Sequence, residues 1–109
     1  QLMTPEHPNA VKFETFVFDA LPFAKNPLIP EADRTEEFSP VKNRTGVDSL
    51  ESSQADQINR AKRWLKNAGV ATRENAVVEI CPRAFPDQKD LQNADWKRYD
   101  MQSDTLYLD

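Results

Sequence analysis

The sequence predicts a mixed α/β fold, and three stretches carry that prediction. Residues 53–68 repeat small and apolar side chains at helical spacing and stop at a glycine. "AVVEICP" is a short β-branched run ended by Pro82, and the last residues, "TLYLD", alternate apolar side chains as a terminal strand does.

In chain order, the opening "QLMTPEHPN" is polar and carries Pro5 and Pro8, which reads as an extended arm; Asn9 is placed to cap a following helix. "AVKFETFVFDALPFAKN" then supports two readings. Alternation of Phe16, Phe18 and Ala20 would suit a strand. Helical spacing gathers more residues, with Phe13, Phe16, Val17, Ala20 and Leu21 at i, i+3, i+4, i+7 and i+8. A helix over about 10–24 is therefore expected, with Pro22 ending or bending it. Phe18 falls off that stripe, on the side of Glu14, and needs either a second packed layer or a ligand to cover it. Pro27 and Pro30 restrict residues 28–33 to an extended segment or an edge strand. Turn formers then dominate "SPVKNRTGVDSLESS", a long connection of the kind that is often functional.

The second helix, 53–68, is the clearest element. Ser52 or Ser53 can cap it, Ser53-x-x-Asp56 is close to a capping box, and Ile58, Ala61, Leu65 and Ala68 form a narrow apolar seam. Gly69 stands where a C′ glycine belongs. Arg60, Lys62, Arg63 and Lys66 make its C-terminal half basic, a face expected to be solvated. A strand follows at 76–81, then a polar segment anchored by Trp96 and Tyr99, then a strand at 105–108 that could add to a sheet.

The composition narrows the chemistry. With 109 residues and a net charge of −4, the chain has the size of one domain or a piece of a larger protein. It lacks the basic footprint of a nucleic-acid or anionic-membrane binder. Only 2 glycines against 8 prolines leave no room for a glycine-rich phosphate cradle. Starting at Gln1 rather than Met, it reads as an interior fragment or a processed product. The single cysteine, Cys81, rules out an internal disulfide and points to a reducing, cytoplasmic setting. It reads as an inert small apolar residue, since nothing next to it in sequence would lower its pKa. His7 stands alone and completes neither a zinc site nor a nucleophilic triad. Glu36 and Glu37, adjacent in sequence, point apart and are expected to be solvated.

Lys42 is the stronger candidate. Pro40 pushes Ser39 toward extended geometry, and Phe38 and Val41 are expected to anchor the loop flanks in a core. An anchored loop fixes its ammonium, a compact point charge suited to phosphate oxygens.

"NAVKFETFVFDALPFAKN", "EEFSPVKN" and "TGVDSLESSQADQINRAKRWLKNAGV" together, in that order, resemble the C-terminal part of the eukaryotic-type UDP-sugar pyrophosphorylases. The nearest branch is UDP-N-acetylglucosamine pyrophosphorylase, and "VVEICP" is similar to that family's Cys-Glu-Ile-Ser-Pro segment. The resemblance implies the C-terminal segment of a Rossmann-like nucleotidyltransferase domain (residues 1–46) followed by a small mixed α+β C-terminal domain (residues 47–109). It implies a uridylyltransferase that joins UTP to a sugar 1-phosphate, releases pyrophosphate and uses Mg²⁺ in its full-length form. Lys42 matches the lysine that contacts the phosphates, as a catalytic and substrate-binding residue. Phe16 and Phe18 match the phenylalanines lining the sugar pocket, which gives the off-stripe Phe18 a reason. The family's nucleotide loop, uridine-binding residues and metal-binding aspartate have no counterpart here. The resemblance therefore assigns no metal ligand to this segment, and the isolated chain is expected to be inactive. The competing expectations are a non-enzymatic accessory or oligomerisation domain, or a family member making UDP-glucose or another UDP-sugar.

Overall fold

The computed structural model describes residues 7–109. The expected N-terminal arm lies largely outside them, at residues 1–6. The chain divides into two compact units, Gln1–Glu31 and Ala32–Asp109. The lysine loop is hydrogen-bonded to the helix that follows it and groups with it in the second unit.

In the first unit, the helix expected over about 10–24 is replaced by a 3₁₀ helix, Val17–Phe23, with Pro22 inside it and no buried residue. Phe13, Phe16, Val17 and Leu21 are all exposed. An amphipathic stripe stabilises a helix mainly by packing against other apolar surface, and among the described residues this stripe is left exposed. The Asp19 amide bonds the Phe16 carbonyl at 3.0 Å where the turn begins, and the Ala24 amide bonds the Leu21 carbonyl at 3.0 Å where it ends.

The second unit has a core. It opens with a single helical turn, α1 (Arg34–Glu37), capped by Asp33, whose Oδ1 accepts from the Thr35 amide at 2.9 Å and the Thr35 hydroxyl at 2.8 Å. Helix α2 (Leu50–Asn67) begins three residues before the expected start. Ser49, not Ser53, is its N-cap: the Ser49 hydroxyl accepts from the Ser52 amide at 3.2 Å, and the Ser52 hydroxyl accepts from the Ser49 amide at 2.9 Å. Ser53 sits inside the helix, its hydroxyl turned back to the Ser39 carbonyl. At the other end the Gly69 amide bonds the Lys66 carbonyl and the Val70 amide bonds the Leu65 carbonyl. Gly69 has φ +77°, the left-handed residue this closure needs.

Strands β1 (Val77–Ile80) and β2 (Thr105–Leu108) pair in parallel, with Val77 opposite Thr105 and Ile80 opposite Leu108. A parallel pair needs a long crossover. Here it carries 3₁₀ turns at Gln88–Asn93 and Trp96–Arg98 and drops Leu91 into the core. Ala61 and Leu65 of α2 meet Val78, Leu106 and Leu108 from one face of the sheet, with Trp64, Trp96 and Tyr99 packed around them. The opposite face, bearing Val77 and Tyr107, is exposed. Among the described residues no helix is long and apolar enough to cross a membrane.

Candidate functional site

The loop around Lys42 is held by polar ties rather than by apolar anchors. Phe38 and Val41, expected to be buried, are both more than half exposed; the Arg34 guanidinium covers one face of Phe38 at 4.6 Å. Upstream of the lysine, the Ser39 hydroxyl donates to Asp56 Oδ2 at 2.6 Å, and the Ser53 hydroxyl donates to the Ser39 carbonyl at 3.0 Å. Both partners lie on α2. Downstream, the amides of Lys42 and Asn43 converge on the Asp48 carbonyl at 2.6 and 2.9 Å, and Asn43 Nδ2 donates to the Val47 carbonyl at 2.7 Å. Gly46 at φ +78° and Asp48 at φ +57° turn the chain back on itself. Asn43 then bridges Ser49, the fully buried cap of α2. The Lys42 backbone is thus fixed on both sides, while its side chain is exposed and forms no ion pair with the described residues.

Glu36 is the residue that sequence reasoning missed. Far from being merely solvated, its carboxylate is a hub. Oε1 accepts from Arg63 Nη2 at 2.8 Å and Nε at 3.1 Å, and Oε2 accepts from the Trp64 indole at 2.9 Å. Arg60 Nε approaches Oε2 at 3.4 Å, without hydrogen-bond geometry, and the Arg60 guanidinium stacks 4.4 Å over Trp64. Partial burial pushes the Glu36 carboxyl up. The donors of Arg63 and Trp64, with the charges of Arg63 and Arg60, outweigh that and hold it below its ordinary value. Two of the four basic residues expected to be solvated are therefore committed to structure. A third, Lys62, donates to the Glu74 carbonyl at 2.7 Å. No short-range pattern could reveal this hub, because its partners lie 27 and 28 residues away.

Between α1 and the first turns of α2 runs a cleft of about 380 Å³, lined by Arg34, Glu36, Phe38, Asp56, Arg60 and Arg63 among others. Lys42 is not on its wall. Arginines and carboxylates alternate around it, so it offers no net field to a phosphate.

Phe16 and Phe18 lie in the first unit. Phe16 is the extended residue that starts the 3₁₀ turn, and Phe18 sits inside that turn. They are 58% and 68% exposed, so neither side chain is committed to a core. Cys81 differs from expectation. The amides of Arg83 and Ala84 in the turn after Pro82, then the Tyr107 hydroxyl, hold its thiol below the usual value. Among the described residues no group of three or more His, Cys, Asp or Glu could hold a metal ion.

Comparison with known proteins gives a consistent set of relatives. The chain is 34% identical over 95 residues to a protein of Dictyostelium discoideum named as a probable UDP-N-acetylglucosamine pyrophosphorylase; the match covers 83% of this chain and 20% of that protein. It is 37% identical over 81 residues to the UDP-N-acetylglucosamine pyrophosphorylase of Saccharomyces cerevisiae, covering 70% of this chain and 17% of the relative. It is 43% identical over 70 residues to the human UDP-N-acetylhexosamine pyrophosphorylase-like protein 1, covering 62% and 14%. The chain thus spans a fifth or less of the length of these curated relatives. No family model matches it, and no solved structure does.

Proposed function

We propose, from the premise that this chain belongs to the UDP-N-acetylglucosamine pyrophosphorylase family, that it is the C-terminal segment of a uridylyltransferase. The reaction joins UTP and a sugar 1-phosphate into a UDP-sugar and pyrophosphate. The observation that carries the reading is the agreement of the relatives, from slime mould, yeast and human, on a pyrophosphorylase name. N-acetylglucosamine 1-phosphate is the first choice of sugar. The hexosamine name of the human relative favours a wider N-acetylhexosamine range as the second reading.

In this reading residues 1–46 complete a Rossmann-like catalytic domain contributed by the rest of the enzyme. Phe16 and Phe18 supply an apolar wall for the sugar, where an acetamide methyl would gain a few kcal/mol at most, on the order of 1–3. Lys42 places its ammonium against the phosphate oxygens as the sugar phosphate attacks and pyrophosphate leaves. Charge accumulates there in the transition state, and a fixed cation lowers the barrier because its position needs no reorganisation. The side chain, exposed and without an ion pair among the described residues, on a doubly tied backbone supports that role. Mg²⁺ belongs to the full-length enzyme. The described residues hold no carboxylate cluster fit to bind it, so no step here runs through it.

The test uses the complete reading frame that contains this segment, assayed for pyrophosphate release from UTP and N-acetylglucosamine 1-phosphate. Lys42→Ala is expected to cost about 2.7–4 kcal/mol at the transition state, roughly 10²–10³ in turnover. Undiminished turnover overturns the role of Lys42. A complete protein with no turnover on any sugar 1-phosphate overturns the uridylyltransferase reading, and turnover by residues 1–109 alone overturns the reading of this chain as an incomplete segment.

A further inference from the structure

The side chains that hold the lysine loop are not spread along the chain; they gather on one short piece of α2. Ser53 and Asp56, one helical turn apart, take the Ser39 carbonyl and hydroxyl. The cap of the same helix, Ser49, with Asp48 before it, takes the other end of the loop through the Asn43 bridge and the paired Lys42 and Asn43 amides. Only Pro40 and Val41 lie between the upstream tie and the first downstream one. Pro40 fixes its own φ and restricts Ser39 to extended backbone. Val41 is more than half exposed and belongs to no core cluster among the described residues.

We infer that the first two turns of α2 are the positioning platform of Lys42, with Asp56 and Ser53 as its positioning residues. The inference rests on the uridylyltransferase reading for its catalytic consequence, but not for its geometry. Asp56 takes the shortest of these side-chain bonds, at 2.6 Å, and the acceptor is an exposed carboxylate with no part in the core. Its removal frees Ser39 without opening a cavity. The loop then pivots on Pro40 and the ammonium leaves its place. Misplacement of a catalytic group by about 1 Å can cost on the order of a hundredfold in rate. Asp56→Asn keeps a carbonyl oxygen for the Ser39 hydroxyl and preserves the tie.

Two measurements test this, and they fail separately. In the 109-residue chain, Asp56→Ala and Ser53→Ala should speed hydrogen exchange at the Lys42 and Asn43 amides, while Asp56→Asn should not. Unchanged exchange in both alanine variants overturns the platform, whatever Lys42 contacts. In the complete uridylyltransferase, Asp56→Ala should lower kcat about tenfold to a hundredfold, with KM changed less. Asp56→Asn should restore kcat. In a Lys42→Ala background Asp56→Ala should cost nothing further, because the group it positions is gone. An equal loss in both backgrounds makes Asp56 a folding residue and overturns the inference. If Lys42→Ala itself leaves turnover intact, the functional reading of the lysine fails while the exchange result still decides the platform.

Discussion

Replacing Glu36 by alanine should destabilise the second unit by about 2 kcal/mol, and the figure follows from what the carboxylate holds. Its two bonds from Arg63 form a forked ion pair, with side chains 32% exposed at Glu36 and 41% at Arg63. That exposure discounts the pair to the upper end of the surface range, about 1 kcal/mol. The Trp64 indole N–H, packed beside the core and bonded to Oε2, would lose its acceptor, which adds about 1 kcal/mol. For a unit of this size, about 2 kcal/mol corresponds to a fall in Tm of roughly 8–16 °C. Urea unfolding followed by tryptophan fluorescence would read it directly, with the midpoint lowered by about 1–2 M and the slope unchanged. Glu36→Gln keeps an acceptor for Trp64 and should lose about half as much. In a double-mutant cycle with Arg63→Ala the two losses should not add. A loss below about 0.5 kcal/mol for Glu36→Ala would show that the hub is ornamental and refute the reasoning.

The same carboxylate gives the unit an acid limb. Its folded pKa lies below the ordinary glutamate value of 4.5. The stabilisation is therefore complete above that value and is lost as pH falls through the lower, folded one. Stability measured from pH 6 to pH 3 should fall less steeply in Glu36→Gln than in the parent chain. Gly69→Ala meets no atom within 4 Å, so only the φ of +77° opposes it; a loss of about 1 kcal/mol is expected by thermal unfolding, and none would mean that α2 ends without the left-handed residue.

What could be read from the sequence was what local spacing encodes. The seam of α2 places Ala61 and Leu65, and both are buried against the sheet. Gly69 marks the end of the helix because its φ is one that other residues avoid. The start is misplaced by spacing alone, which reads Ser52 and Ser53 as the caps; the left-handed Asp48 and the reciprocal bonds of the buried Ser49 with Ser52 put it earlier. The parallel pairing of β1 with β2 is set by the crossover between them, which no pattern inside either strand records. Around the lysine, Pro40 and Ser39 were visible as a turn, but the holding partners Ser53 and Asp56 read only as helix-start residues. Those contacts span 14 and 17 positions.

The first unit shows why apolar periodicity is a condition for a helix and not a cause. Its stripe has the right spacing, yet Phe13, Phe18, Phe23, Leu28 and Ile29 are all exposed and the unit buries no residue of its 3₁₀ turn. Ordering a residue's backbone costs about 1–2 kcal/mol, which burial must offset. The second unit offsets it with the cluster around Leu65 and Leu108; the first has no such cluster among its described residues. Under the proposed function, the covering surface for these phenylalanines comes from the rest of the uridylyltransferase and from the sugar. That would make the same side chains serve both folding and specificity. The Lys42 loop, in contrast, is tied within the second unit, by Ser53 and Asp56 of α2 and by the turn through Val47 and Asp48, so under the same proposal the backbone that carries the charge is ordered without the rest of the enzyme.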